Sequence, residues 1–199
     1  MKNFILLLSL ILLSGASTKV LAMDTIDELD LVKYSGDWHQ IALIPNKFQK
    51  RCFANTMASY TVLPPNKKGV SHIEVNNSCF RENGEFKSGI GKARVNPKFD
   101  SSAKLQVAFA KILGKTLWFT AGNYWVLDIG DNYEYTVVGE PSREFAWILA
   151  RSLSLPKAKL TEIRDLLMRQ GYNPCDLIMS RNNKVSSKEL PSLCEYVVD

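Results

Sequence analysis

Between residues 37 and 151 the chain breaks into eight short segments in which polar and apolar side chains alternate. They run over 37–44, 53–63, 70–80, 86–95, 104–110, 123–129, 133–140 and 144–151, most joined by short links such as PPNKKG at 64–69. A period of two is the mark of a half-buried strand, and turn signals at this spacing specify an all-β barrel or sandwich. An eight-stranded meander left flat has two exposed edges, and rolling it into a barrel removes both. Eight strands enclose an interior that side chains can fill, or that can hold one small ligand. A two-sheet sandwich satisfies the same alternation.

Beyond the strands the period changes. Leu160, Ile163, Leu166 and Leu167 share one helical face; Ser154 is placed to cap it, Pro156 sits in its first turn and Gly171 stops it. The tail, 180–199, is polar and is expected to lie over the surface. A leader from Asp24 to Lys33 carries Leu29 and Leu31 as packing residues.

Residues 1–22 read as a secretory signal peptide, with Lys2, an apolar run from Phe4 to Leu13 and the small-residue end Val20-Leu21-Ala22. That run of about ten residues is too short to cross a bilayer. Leu13-Ser14-Gly15-Ala16 has the form of a bacterial lipoprotein box with alanine where the lipid-bearing cysteine belongs. The expectation is an exported protein, periplasmic or secreted and not lipid-anchored, with one domain over 23–199. Without Lys2 and Lys19 the formal charge falls from +5 to +3, from 23 basic and 20 acidic residues. The bases are scattered, which argues against nucleic acid as a partner.

Four cysteines, an even count, suit two disulfides in an oxidising compartment. None has a spacing suited to zinc, so no metal or other cofactor is expected. Folding back from the 64–69 turn brings position 52 near 79–82. The first pairing is therefore Cys52–Cys79, leaving Cys175–Cys194; a bond from Cys52 to a C-terminal cysteine is the competing one.

The first strand opens on Gly36-Asp37-Trp38. A large ring pointing inward from there plugs one end of a barrel, and Gly36 lets the backbone turn sharply beside it. Arg151, at the end of the last strand, can lay its guanidinium over the indole and satisfy carbonyls of the leader. GxW alone is too short to exclude an ordinary core tryptophan.

The order of further motifs is more specific. Gly36-x-Trp38 is followed by Ile41-Ala42, Pro45-Asn46-x-Phe48 and Tyr60, then Tyr124-Trp125-Val126-Leu127-Asp128, Tyr133 and Trp147-Ile148-Leu149-Ala150-Arg151. From about Leu31 to Leu177 the chain resembles a lipocalin, of the branch containing bacterial outer-membrane lipocalins and apolipoprotein D. Two departures stand out. Only Asp128 and Tyr133 correspond to the family's second motif, commonly Thr-Asp-Tyr, and the lipidated cysteine of bacterial relatives is missing.

The resemblance implies an eight-stranded antiparallel up-and-down barrel with one C-terminal helix packed outside and a cup open at one end. Alternation then proposes the cup's lining as Ala42, Ala58, Tyr60, Ile73, Val75, Val107, Phe109, Tyr124, Trp147 and Leu149, with Tyr60 or Tyr124 offering a hydroxyl to a headgroup. These residues can equally just fill the barrel. Between the fifth and sixth strands, 110–122 carries Ile112, Leu113, Leu117, Trp118 and Phe119. They form either an apolar lip that covers ligand or touches a membrane surface, with Lys111 and Lys115 near headgroups, or an extended hairpin packed on the barrel.

The expected function is non-enzymatic carriage of a small hydrophobic ligand, a fatty acid or lysophospholipid, in envelope lipid handling. Burying a long acyl chain supplies about 10 kcal/mol gross at about 0.8 kcal/mol per methylene. Neither His39 nor His72, the two histidines, sits in a motif with a nucleophile. The alternatives are a haem- or tetrapyrrole-binding barrel and a protein-interaction or inhibitor module with a filled interior. A monomer or weak dimer is expected.

Overall fold

A computed structural model describes residues 22–66, 70–182 and 189–198. The expected signal peptide, apart from its last position, lies outside them. The strands are β1 (Gly36–Leu43), β2 (Ala54–Leu63), β3 (His72–Phe80), β4 (Phe86–Val95) and β5 (Lys104–Ala108). A small hairpin follows, β6 (Lys111–Ile112) with β7 (Lys115–Thr116), then β8 (Gly122–Ile129), β9 (Tyr135–Gly139), β10 (Ala146–Ala150) and β11 (Ile178–Met179). The helices are α1 (Leu31–Tyr34), α2 (Lys157–Arg169) and α3 (Leu193–Val198).

The sheet closes. Strands β1, β2, β3, β4, β5, β8, β9 and β10 pair antiparallel in that order, and β10 returns to β1 through His39 opposite Ala150 and Leu43 opposite Trp147. The alternative of a two-sheet sandwich is thereby excluded. β11 adds outside the barrel, pairing Met179 with Ala42 along the upper part of β1, where β2 no longer pairs.

Alternation divides the apolar residues into two cores. The inner one holds Trp38, Tyr60, Ile73, Val75, Leu105, Val126 and Leu149, joined by Leu29 of the leader. In the outer one, Leu160, Ile163 and Leu167 of α2 pack on Ile41, Val137 and Ile148, whose side chains point out of the barrel. α2 ends as expected: Gly171 adopts φ +81°, and Tyr172 N donates back to Leu167 O at 2.9 Å. Ser154 does not cap it; Pro156 occupies the cap position, with no side-chain cap bond.

Two expectations change. Ala42, proposed as lining, packs in the outer core. A β-bulge between Gln40 and Ala42 is the cause: Gln40 opposes inward Leu149, whereas Ala42 opposes outward Ile148. One extra residue in a strand turns every later side chain to the other face. The tail, expected to lie over the surface, bridges β11 through Ser192 opposite Ile178 and buries Leu193 in the outer core. The disulfides are Cys52–Cys79 and Cys175–Cys194. The first ties the 44–53 loop to β3, and the second ties α3 to the segment after α2.

Candidate ligand cup and its floor

The floor is built where the chain enters β1. Trp38 is 0% exposed and its Nε1 donates to Tyr34 O at 2.9 Å. The Arg151 guanidinium lies 3.8 Å from the centre of the Trp38 ring. It also donates to four carbonyls: Tyr133 O at 3.2 Å, Asp37 O at 2.9 Å, and Lys33 O and Ser35 O at 2.8 Å. Gly36, at φ +94°, runs so close that a Cβ would stand 3.2 Å from Arg151 Nη1. Any side chain there would be strained by the backbone and crowded by the guanidinium. Tyr133 closes the arrangement, its hydroxyl accepting from Asp30 N at 3.1 Å.

Above the indole stands a column of phenols. Tyr34, from α1, lies 5.0 Å from the Trp38 ring and stacks on Tyr60 at 5.4 Å. The Tyr124 hydroxyl is 2.7 Å from that of Tyr34 and 3.0 Å from that of Tyr60. The three phenols thus share two hydrogen bonds, in each of which either oxygen can donate. Thr136, fully buried, donates its hydroxyl to Asp128 O at 3.1 Å. Burial pushes Tyr60 up to about 12 and raises Tyr34 and Tyr124 as well, where burial is again the first cause and the neighbouring phenols the second. The column is therefore neutral, its hydroxyls engaged with one another.

Toward the opposite end the walls thin out. On the inward-facing row of β4, Gly89 stands opposite Asn77 and Gly91 opposite Val75. A Cβ at Gly89 or Gly122 would meet nothing within 4 Å, whereas at Gly91 it would strike the Phe109 ring at 2.8 Å. Phe109 is 45% exposed over Gly91, and Asn77, Lys87 and Gly89 are exposed. The inward positions near this end thus keep contact with solvent while those around Trp38 do not. The mouth is crossed by the 44–53 loop. Its Gln49 accepts from Trp147 Nε1 at 2.9 Å and donates to Gln40 at 2.7 Å.

Of the residues proposed as lining, Ala58, Tyr60, Ile73, Val75 and Leu149 are in the inner core, and Val107, Tyr124 and Trp147 pack against it. Tyr34, Gln40, Gln49, Gly89, Gly91 and Ala93 escaped the sequence reading. The β4 glycines carry a signal of their own, since two glycines at alternate positions of a strand leave one face bare.

The 110–122 segment forms the β6–β7 hairpin, an extension of the β5–β8 connection. Trp118 does not stand at the rim but packs outside the wall, with the Arg94 guanidinium 4.1 Å from its ring centre and His72 at 5.5 Å. Burial, and then the charge of Lys92, hold His72 below its usual range. Leu117 is part-buried, whereas Ile112, Leu113 and Phe119 are 60%, 96% and 85% exposed.

Among the described residues no group of His, Cys, Asp and Glu could hold a metal ion, and no helix is long and apolar enough to cross a membrane. A lipocalin-like domain model matches residues 29–182. The chain is 28% identical over 169 residues to temperature-induced lipocalin-1 of Arabidopsis thaliana, covering 85% of each chain. It is 26% identical over 179 residues to the outer membrane lipoprotein Blc of Vibrio cholerae, covering 89% of this chain and 97% of that one. Apolipoprotein D of mouse matches at 28% over 156 residues, covering 74% of each chain. Among solved structures, insecticyanin from the tobacco hornworm Manduca sexta superposes with a TM-score of 0.59 at 19% identity, over 84% of this chain and 86% of that one. The chain belongs to the lipocalin family.

Proposed function

We propose that this lipocalin is an exported, non-enzymatic carrier of a single-chain lipid, a fatty acid or lysophospholipid. The observation that carries the reading is a gap in the inward row of β4: Gly89 has open space where a side chain would stand, beside a mouth where Asn77 and Lys87 stay exposed. The aromatic column fills the barrel from its floor upward, so the cup is shallow and takes part of a tail. About eight buried methylenes supply about 6 kcal/mol gross, which ordering and association costs bring to the micromolar range or weaker. The phenols lie deep in the barrel, so an anionic headgroup belongs at the mouth, where the alternation of β4 turns Lys87 inward opposite Cys79. The 110–122 hairpin contacts the membrane surface from which such a lipid is drawn. Both disulfides suit an oxidising compartment, in keeping with export.

Native mass spectrometry of the protein from its own host, followed by organic extraction, tests this. The expected result is a stoichiometric adduct that extracts as a single-chain lipid. A coloured protein with a Soret band would replace the reading by a tetrapyrrole one. A protein that arrives empty and takes up no fatty acid on titration would favour an interaction module.

A further inference from the structure

We propose that one side of the mouth, formed by the β6–β7 hairpin and the outer face of β3–β4, is a docking surface for an anionic lipid bilayer, with Leu113 inserting first. The proposal deepens the membrane contact named above and rests on it, but not on what fills the barrel.

The hairpin tip is built against its own local stability. Leu113 has φ 49° and Gly114 φ 75°, the left-handed pair of a tight hairpin turn. Such a turn favours Asn or Asp before Gly, because a bulky side chain at positive φ crowds the carbonyl that follows it. Here the first position holds leucine, 96% exposed. A side chain that strains its turn and touches almost nothing in the protein has its partner elsewhere.

The tip is not alone. Extending the β4–β5 register past Lys92 opposite Ala108 sets Ile90 beside the base of the hairpin. Ile90, Phe86 and Phe80 lie on the outward row of β3–β4 and are 49%, 58% and 40% exposed. With Ile112, Leu113 and Phe119 they make an apolar band along one side of the rim. The hairpin is held in place at its base: Leu117 N donates to Ala110 O at 2.9 Å, and Trp118 is clamped under Arg94 and beside His72.

Charge names the occupant. Lys111 and Lys115 flank the tip, and Lys92 follows the band along the outward row of β4. Asp100 is the one acid between residues 86 and 127, and it sits in the β4–β5 link at the other end of the barrel. Of the nearby acids, Glu85 is paired with Arg81 at 2.6 Å, Glu74 lies opposite Lys92, and Glu82 is in the β3–β4 turn. Apolar tips ringed by lysines suit acyl chains beneath anionic headgroups.

The test is co-sedimentation with phosphatidylcholine vesicles with and without phosphatidylglycerol. The probe variant is Leu113→Asn, which suits the turn and so should keep or raise the melting temperature. Wild type is expected to bind the anionic vesicles, and Leu113→Asn to partition about tenfold more weakly. Lys111→Gln with Lys115→Gln should erase the preference for phosphatidylglycerol. Equal partitioning of wild type and Leu113→Asn, equal binding to both vesicle types, or no vesicle binding by wild type overturns the proposal. Fatty-acid titration of the same variants separates this outcome from the fate of the carrier reading: intact docking with no ligand uptake would remove the carrier and leave the surface.

Discussion

Arg151→Ala is the sharpest test of the floor. The wild-type guanidinium makes one ring contact, 3.8 Å from the Trp38 centre, and four hydrogen bonds to carbonyls. Two of those bonds, to Lys33 and Asp37, are exposed, so water replaces much of what they lose. The bonds to Ser35 and Tyr133 are part-buried and should cost about 1–1.5 kcal/mol each. The cation–π contact adds about 1 kcal/mol. The expected loss is about 3–4 kcal/mol, and a domain of this size should melt about 10 °C lower. Thermal and urea unfolding with the disulfides intact measure it, and near-ultraviolet dichroism follows Trp38. Arg151→Lys keeps the charge but not the planar fork, so it should fall between the two. If Arg151→Ala loses less than about 1 kcal/mol, the arginine is ornamental and the reasoning about the floor fails.

Further outcomes follow from the same geometry. Gly89→Leu should leave the melting temperature nearly unchanged, since nothing lies within 4 Å of its Cβ, and should weaken fatty-acid binding about tenfold by filling the cup. An unchanged affinity would move the ligand elsewhere. Gly91→Ala meets Ala108 O and the Phe109 ring at 2.8 Å and should cost about 1–3 kcal/mol in urea unfolding. Removing Cys52–Cys79, separated by 27 residues, should cost about 3–4 kcal/mol by loop entropy. It should also speed proteolysis of the 44–53 loop. The buried phenols ionise late: with Tyr60 near 12 and Tyr34 and Tyr124 raised, their stabilisation is full below pH 10 and is lost as pH rises from 10 through the folded values. Absorbance at alkaline pH should show them ionising together with unfolding. A smooth titration at pH 10 of a protein that stays folded would contradict the network.

How far a sequence can be read depends on whether the signal is local. Each strand announced itself by alternation, and the helix by Leu160, Ile163 and Leu167, because side-chain period follows backbone geometry directly. Gly36, Trp38 and Arg151 were legible as a set from barrel closure, and the motif order that marks a lipocalin made the set specific. Ala42 was misplaced since a bulge obeys no periodicity. Tyr34 was missed because it sits in a four-residue helix of the leader, outside any pattern.

The amino-acid order alone determined the eight barrel strands, the late helix and the supply of cysteines, since all of these rest on near neighbours along the chain. Tertiary structure decided the rest: that β10 closes on β1, that three phenols meet in one column, that open space lies over Gly89, and that Trp118 serves the outer wall instead of the rim. Those are contacts between residues far apart in sequence. Their geometry is set by strand register and barrel closure, which no single segment encodes.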